Sequence, residues 1–335
     1  MGNKRDWALD VMRGLAILLM VGIHSVIHVR PVDPLAYKII RALGSLAGPF
    51  FLICSGVGAG YLRAGLHGSS GTLRQTLFRR GLFLIVFSSV FKLSHMDIAQ
   101  ILDWDIFTVI GVMYLLVALA SRIRLKGMVS GLSVVLIFNA ILPIGIPAIL
   151  RDGSMPIIPF AAYFLFGLLF SELRDTLNSR PMSAATGCCA VAVGGALLYL
   201  QRGVLPNLTR FDFWTNPAVI TIICLFLLLY LWLSAIQRGT WSPDKILIPV
   251  VRIGKLAFSV YYVQYFLLIL LPTVAGYILH RDVLVQMPTA LWLVGMSALI
   301  GFLYCVVLVW ARFGFKLSLE WIIHRYVSSR SMFAE

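Results

Sequence analysis

LDVMRGLAILLMVGIH, residues 9–24, decides the fold. With its flanks it is an apolar run of about 20 residues, enough to cross a bilayer as one helix. It nevertheless carries Asp10 and Arg13 near one end and His24 near the other, with His28 just beyond. Ionisable groups are expensive in hydrocarbon, so a spanning helix that keeps them marks a functional site. Arg13 and His24 are three turns apart and share a face, about 16 Å from each other along the axis. Asp10 and His28 extend the stripe at i−3 and i+4. Trp7 fits an interface anchor on the Arg13 side.

The rest of the chain agrees with a membrane setting. Of 335 residues, 60% are hydrophobic and only 13% charged, which excludes an ordinary soluble domain. The expected class is all-α, a polytopic integral membrane helical bundle of about ten transmembrane helices. No polar stretch is long enough for a second domain, so 1–335 reads as a single transmembrane domain. The formal net charge of +14 does not point to nucleic acid here. Loop cations at a membrane surface meet lipid headgroups and anionic ligands instead. The five cysteines lie in apolar segments without metal-ligand spacing and read as small packing residues. Asp6, Asp10 and Arg13 interrupt a signal-peptide pattern, so the first helix is expected to be retained.

Expected crossings lie near 8–29, 44–62, 78–95, 106–121, 128–150, 156–173, 182–200, 217–236, 254–279 and 289–311. Pro143 and Pro147 break the fifth. Lys92 ends the third, where a lysine can snorkel to the surface. With the N-terminus inside, Arg63, Arg74, Arg79, Arg80, Arg122, Arg124, Lys126, Arg312 and Lys316 fall on the inner side, whereas outer loops are poorer in cations. This asymmetry places both termini in the cytoplasm. Short loops fit a bacterial cytoplasmic membrane.

The first helix admits several chemistries. Asp10 and Arg13 can form an interfacial ion pair, with the histidines at the opposite water boundary. A metal site would pair His24 with His28 and add His95, Asp97 or Asp103, but nothing fixes those further ligands, and no metal is expected. A neutral histidine can also act as general base for transfer to a hydroxyl or amine near neutral pH. A proton-coupled transporter or flippase for an anionic or sugar-linked substrate is the rival class.

The opening helix resembles that of the membrane acyltransferase superfamily, which includes the acyltransferase-3 family and the heparan-α-glucosaminide N-acetyltransferase-like family. The shared elements are Leu9-Asp10, Arg13-Gly14, and His24 eleven residues after the arginine. PFFLICSG (Pro49 to Gly56) resembles the second helix of that family, RQTLFRRGLFLI the arginine-rich start of the third, and IGKLAFSVYYVQYF a late helix. The late-helix histidine of the pattern is Gln264 here. The resemblance implies an acyl-CoA donor, most simply acetyl-CoA, and a sugar or lipid-linked glycan acceptor outside. On that basis His24 is the catalytic candidate. Arg13, Asp10, Ser55, Tyr261, Gln264 and His95 are candidates for substrate contact, with Asp10 orienting Arg13. Arg79, Arg80 and Arg74 are candidates for the CoA phosphates, since guanidinium binds phosphate through charge-assisted bidentate bonds. Oligomeric state is not legible.

Overall fold

A computed structural model describes residues 6–65, 70–93, 105–120, 125–141, 157–177, 179–200, 216–238, 244–270, 272 and 285–327. In these the chain is overwhelmingly helical: α1 (Trp7–His28), α2 (Pro34–Gly44), α3 (Ala47–Gly65), α4 (Ser70–Leu93), α5 (Ile106–Leu119), α6 (Leu125–Ile141), α7 (Ile157–Leu177), α8 (Arg180–Leu200), α9 (Asn216–Arg238), α10 (Asp244–Lys255), α11 (Ala257–Tyr265), α12 (Thr289–Arg312) and the single turn α13 (Leu319–Ile322). The two short strands are β1 (Val29–Pro31) and β2 (Val285–Met287).

Among the described residues helices occupy the stretches expected to cross, without bearing out the count of about ten. Among the described residues four helical stretches are long and apolar enough to span, or five if α10 and α11 form one bent span. Arg74, Arg79, Arg80 and Lys92 interrupt the apolar run of α4, Glu172, Arg174 and Asp175 close that of α7, and α5 has only 14 residues. The prolines expected to break the fifth crossing lie outside the described residues.

The chain forms two compact units. The first contains the described residues through Phe51 and Trp232–Ile322. Its centre is the crossing of α1 and α10. Asp6 starts α1 by accepting the Leu9 N–H at 3.2 Å, satisfying one of the free donors of the first turn. Two glycines then let the helix backbones touch. A Cβ on Gly14 would lie 2.1 Å from the Val250 carbonyl oxygen, and one on Gly254 only 1.9 Å from that of Asp10. Without a hydrophobic driving force in lipid, such close backbone approach through small residues is what packs helices. At the other end of α1, β1 pairs in parallel with β2, Val29 opposite Val285 and Pro31 opposite Met287, so the His28 end is tied to the start of α12. Helix α2 folds back against α1, with Gly44 on Ile23.

Between α10 and α11 the chain turns through 89°. Leu256, the residue before α11, offers no side-chain cap. The cap comes from far along the sequence. Glu320 Oε1 accepts the N–H groups of Phe258 at 2.7 Å and Ser259 at 3.2 Å, and the Ser259 hydroxyl donates to Oε2 at 2.5 Å. The same hydroxyl accepts the Leu319 N–H at 2.8 Å. Glu320 is delivered by a tight turn after α12 in which Gly314, Phe315 and Leu317 all have positive φ. Burial pushes the Glu320 carboxyl above the ordinary carboxylate range, against the opposing pull of these hydrogen bonds.

In the second unit α3 and α7 also meet backbone to backbone. A Cβ on Gly56 would lie 2.1 Å from the Phe164 carbonyl, and one on Gly167 2.1 Å from that of Ile53. Helices α4 and α5 are joined by a buried polar cluster. Asp105 caps α5 by accepting the Thr108 N–H at 2.6 Å, accepts from Ser88, and pairs with Lys92 at 3.5 Å. Lys92 is therefore not snorkelling. Its side chain is 5% exposed, because the aspartate offers a partner that repays desolvation. Arg174 donates to the Tyr61 hydroxyl at 2.7 Å, and Arg63 lies 3.8 Å from Glu172.

Candidate active site

The first unit brings His24 to the late helix α11. Gln264, fully buried, places its amide against His24 Nδ1, with Nε2 at 2.8 Å and Oε1 at 3.1 Å. An amide can serve Nδ1 either way. With Nδ1–H donating to Oε1, the other ring nitrogen, Nε2, keeps its lone pair and is the basic atom. The rings of Tyr261 and Tyr265 stand edge-on to the imidazole, with centroids at 5.9 and 5.6 Å. Tyr261 and Tyr265 stack on each other at 5.9 Å. The imidazole is thus held on one edge by an amide and walled by two aromatic rings, on a residue that is half-buried.

Further along α1, Asp10 Oδ1 accepts from Arg13 at 3.2 Å. The aspartate side chain is 3% exposed and the arginine side chain 26%. One face of α1 therefore carries an oriented guanidinium and, three turns on, an oriented imidazole. The α1–α10 contact at Gly254 falls on the carbonyl of Asp10, so helix packing and the ion pair share one residue.

The remaining sequence candidates belong to the second unit. Ser55 is buried on α3. Arg74 and Arg79 are exposed on α4, and Arg80 on the same helix bonds to Tyr114. His324, in the turn Ile323–Val327, lies close enough to Arg80 for the two to interact. Burial first, and then the guanidinium's charge, lower its pKa. His95, Asp97 and Asp103 lie outside the described residues. Among the described residues no group of three or more His, Cys, Asp or Glu is placed to hold a metal ion.

Sequence reasoning overlooked Tyr265, Glu320 and His324. Tyr265 lies inside the quoted late-helix motif, one residue past Gln264, and an i, i+4 reading from Tyr261 would have found it. Glu320 had one signal, a lone acid in the apolar segment after α12.

A family model described as an acyltransferase domain matches residues 6–311, most of the chain. The chain belongs to the acyltransferase-3 family. Its described helices and this membership make it a membrane acyltransferase. Comparison with curated proteins finds no match. The family match spans α1 and α11 together, so His24, Gln264 and both tyrosines fall within it, whereas Glu320 and His324 lie beyond its end.

Proposed function

We propose that this acyltransferase moves an acyl group, most simply acetyl, from cytosolic acyl-CoA to a hydroxyl or amine of an extracytoplasmic sugar or lipid-linked glycan. The observation that carries this reading is the imidazole of His24, oriented through Nδ1 by Gln264, on a helix whose other half holds the Asp10–Arg13 pair. Nε2 takes the acceptor proton as the acceptor oxygen or nitrogen attacks the thioester carbonyl. The carbon–sulfur bond then breaks, and the CoA thiolate recovers the proton from the imidazolium. In the variant with a covalent intermediate, Nε2 attacks the thioester carbonyl and expels the CoA thiolate, and the acceptor then displaces the imidazole from the acyl group, its proton passing to the thiolate. Gln264 orients the imidazole from behind, and Tyr261 walls the side where the acceptor approaches.

Arg79 and Arg80 supply positive charge suited to the CoA phosphates, and Arg74 adds to the same end of α4. The positive-inside asymmetry puts that end in the cytoplasm in this reading, in a bacterial cytoplasmic membrane with both termini inside. No metal is needed for any step.

The test is transfer from radiolabelled acetyl-CoA in proteoliposomes. His24→Ala should lower transfer at least about a hundredfold, the scale of a lost general base. Acetyl-CoA binding should survive that change, and Arg79→Ala with Arg80→Ala should weaken it in a salt-sensitive way. His28→Ala should be mild. A His24→Ala enzyme of normal activity would overturn the assignment. A wild-type protein that moves a solute without consuming acyl-CoA would favour the transporter.

A further inference from the structure

The His28 end of α1 carries a feature that the transfer chemistry does not use. Leaving β1, the chain enters α2, whose Leu35, Ile39 and Leu43 are 64%, 49% and 50% exposed. These lie at i, i+4 and i+8 and form one apolar stripe on the outer face of the helix. The opposite face, with Ile40 and Gly44, packs on Gly22 and Ile23 of α1, directly before His24. Helix α2 cannot cross a membrane, since its 11 residues reach only about 16 Å. The continuous apolar stretch Pro34–Ala64 has 31 residues, more than the roughly 20 a crossing needs, and α2 is the excess. A short helix with an open apolar face and cationic flanks lies in the bilayer interface.

Beside the stripe is a cationic cluster. Tyr37 is flanked by two guanidinium groups, Arg30 and Arg41, each 5.7 Å from the ring centroid. Arg41 also donates to the Tyr37 hydroxyl at 3.2 Å, and Arg30 Nε donates to the Val26 carbonyl at 3.1 Å. These contacts fix both guanidinium planes and leave further N–H groups on each for an anion. Among the described residues no carboxylate pairs with either arginine. Lys38 is exposed on the same helix. An apolar stripe for a chain and two guanidiniums tethered beside one tyrosine for a phosphate describe an amphiphile with a phosphate head.

We propose that the segment Val29–Gly44 holds the phosphate of a lipid-anchored acceptor, Arg30 and Arg41 taking the phosphate and the Leu35–Ile39–Leu43 stripe the lipid chain. The proposal rests on the acyltransferase reading, in which the His28 end of α1 faces the acceptor. It deepens that reading by naming the acceptor as one tethered through a lipid phosphate. Because α2 packs on the residues just before His24, an acceptor held there presents its glycan to the imidazole.

The test uses the full-length protein in a zwitterionic detergent without acyl-CoA, with dodecyl phosphate as the probe. Dodecyl phosphate should bind, and Arg41→Gln should weaken it at least tenfold, with Arg41→Lys intermediate because the bidentate fork is lost while the charge stays. Arg30→Gln should act likewise, and circular dichroism on each variant separates lost binding from unfolding. Ile39→Ser serves as the stripe variant, which should weaken dodecyl phosphate but leave inorganic phosphate unaffected. No binding of dodecyl phosphate, or equal affinity for inorganic phosphate, would overturn the proposal. Equal affinity for phosphatidylglycerol would overturn it as well, identifying a surface for bulk anionic lipid. Acetyl-CoA consumption measured on the same preparations keeps the two claims apart. Turnover without dodecyl phosphate binding removes only this inference, whereas binding without turnover removes the acyltransferase reading and with it the role of this segment as an acceptor site.

Discussion

Gln264→Leu isolates what the amide does for His24. Leucine is close in size and keeps the buried position filled, but it offers Nδ1 no partner. In the resting enzyme the bond joins two neutral groups, worth a net of about 0.5–1.5 kcal/mol. When Nε2 takes the acceptor proton, the ring becomes cationic and the Nδ1–H bond to Oε1 rises to about 1.5–3 kcal/mol. The catalytic loss is the difference, about 1–1.5 kcal/mol, and at 1.36 kcal/mol per factor of ten this is about tenfold in kcat. The resting-state share appears separately, as about 1 kcal/mol of lost stability. Single-turnover transfer from acetyl-CoA gives the first number and denaturant unfolding in detergent the second. KM for acetyl-CoA should not move, because the amide touches only the imidazole in this arrangement. An unchanged kcat would show that orientation through Nδ1 is irrelevant to the chemistry. A fall as deep as that of His24→Ala would mean that Gln264 takes part in the reaction itself.

Three further outcomes follow from the packing. Gly254→Ala puts a carbon 1.9 Å from the Asp10 carbonyl oxygen, so α1 and α10 must separate by more than 1 Å to reach ordinary contact. A displacement of that size should cut transfer by about a hundredfold and lower the unfolding midpoint, and an unperturbed variant would refute the backbone contact. Asp10→Ala removes one partner of a guanidinium that is only 26% exposed and should lower the denaturation midpoint; equal stability would show that the pair is not holding α1. Glu320 gives a pH signature. Its folded pKa is raised by burial above the ordinary value of 4.5, so its contribution is fully present below that value and is lost as pH rises through the folded value. Thermal stability in detergent should therefore fall as pH climbs from about 4 towards neutrality, and Glu320→Gln should flatten that slope.

What could be read in advance was what depends on local pattern. Apolar runs mark helices wherever they occur, and the Asp10, Arg13 and His24 stripe follows from helical periodicity alone. The corner at Leu256 escaped because nothing local produces it. The residues 254–279 read as one apolar run, and the break depends on Glu320 supplying a cap from 62 residues beyond Phe258. The His24–Gln264 contact joins positions 240 residues apart, which no periodicity can reveal. Helix α2 was hidden for a different reason. Its apolar stripe merges with that of α3, and only the turn at Ser45 and Leu46 separates them.

The cap on α11 has a practical consequence for anyone handling this protein. The family resemblance stops at residue 311, a natural place to end a recombinant fragment. Such a fragment would keep His24, Gln264 and both tyrosines, yet would lose the carboxylate that closes the first turn of α11. The N–H groups of Phe258 and Ser259 would then be left without that acceptor near the protein interior. The helix that carries Gln264 would be free to fray from the end nearest the corner. A shortened protein could insert, fold in outline and still be catalytically slack, and its weakness would be traced wrongly to the histidine. The folded unit that positions Gln264 runs past the segment by which the family is recognised, to the carboxylate of Glu320.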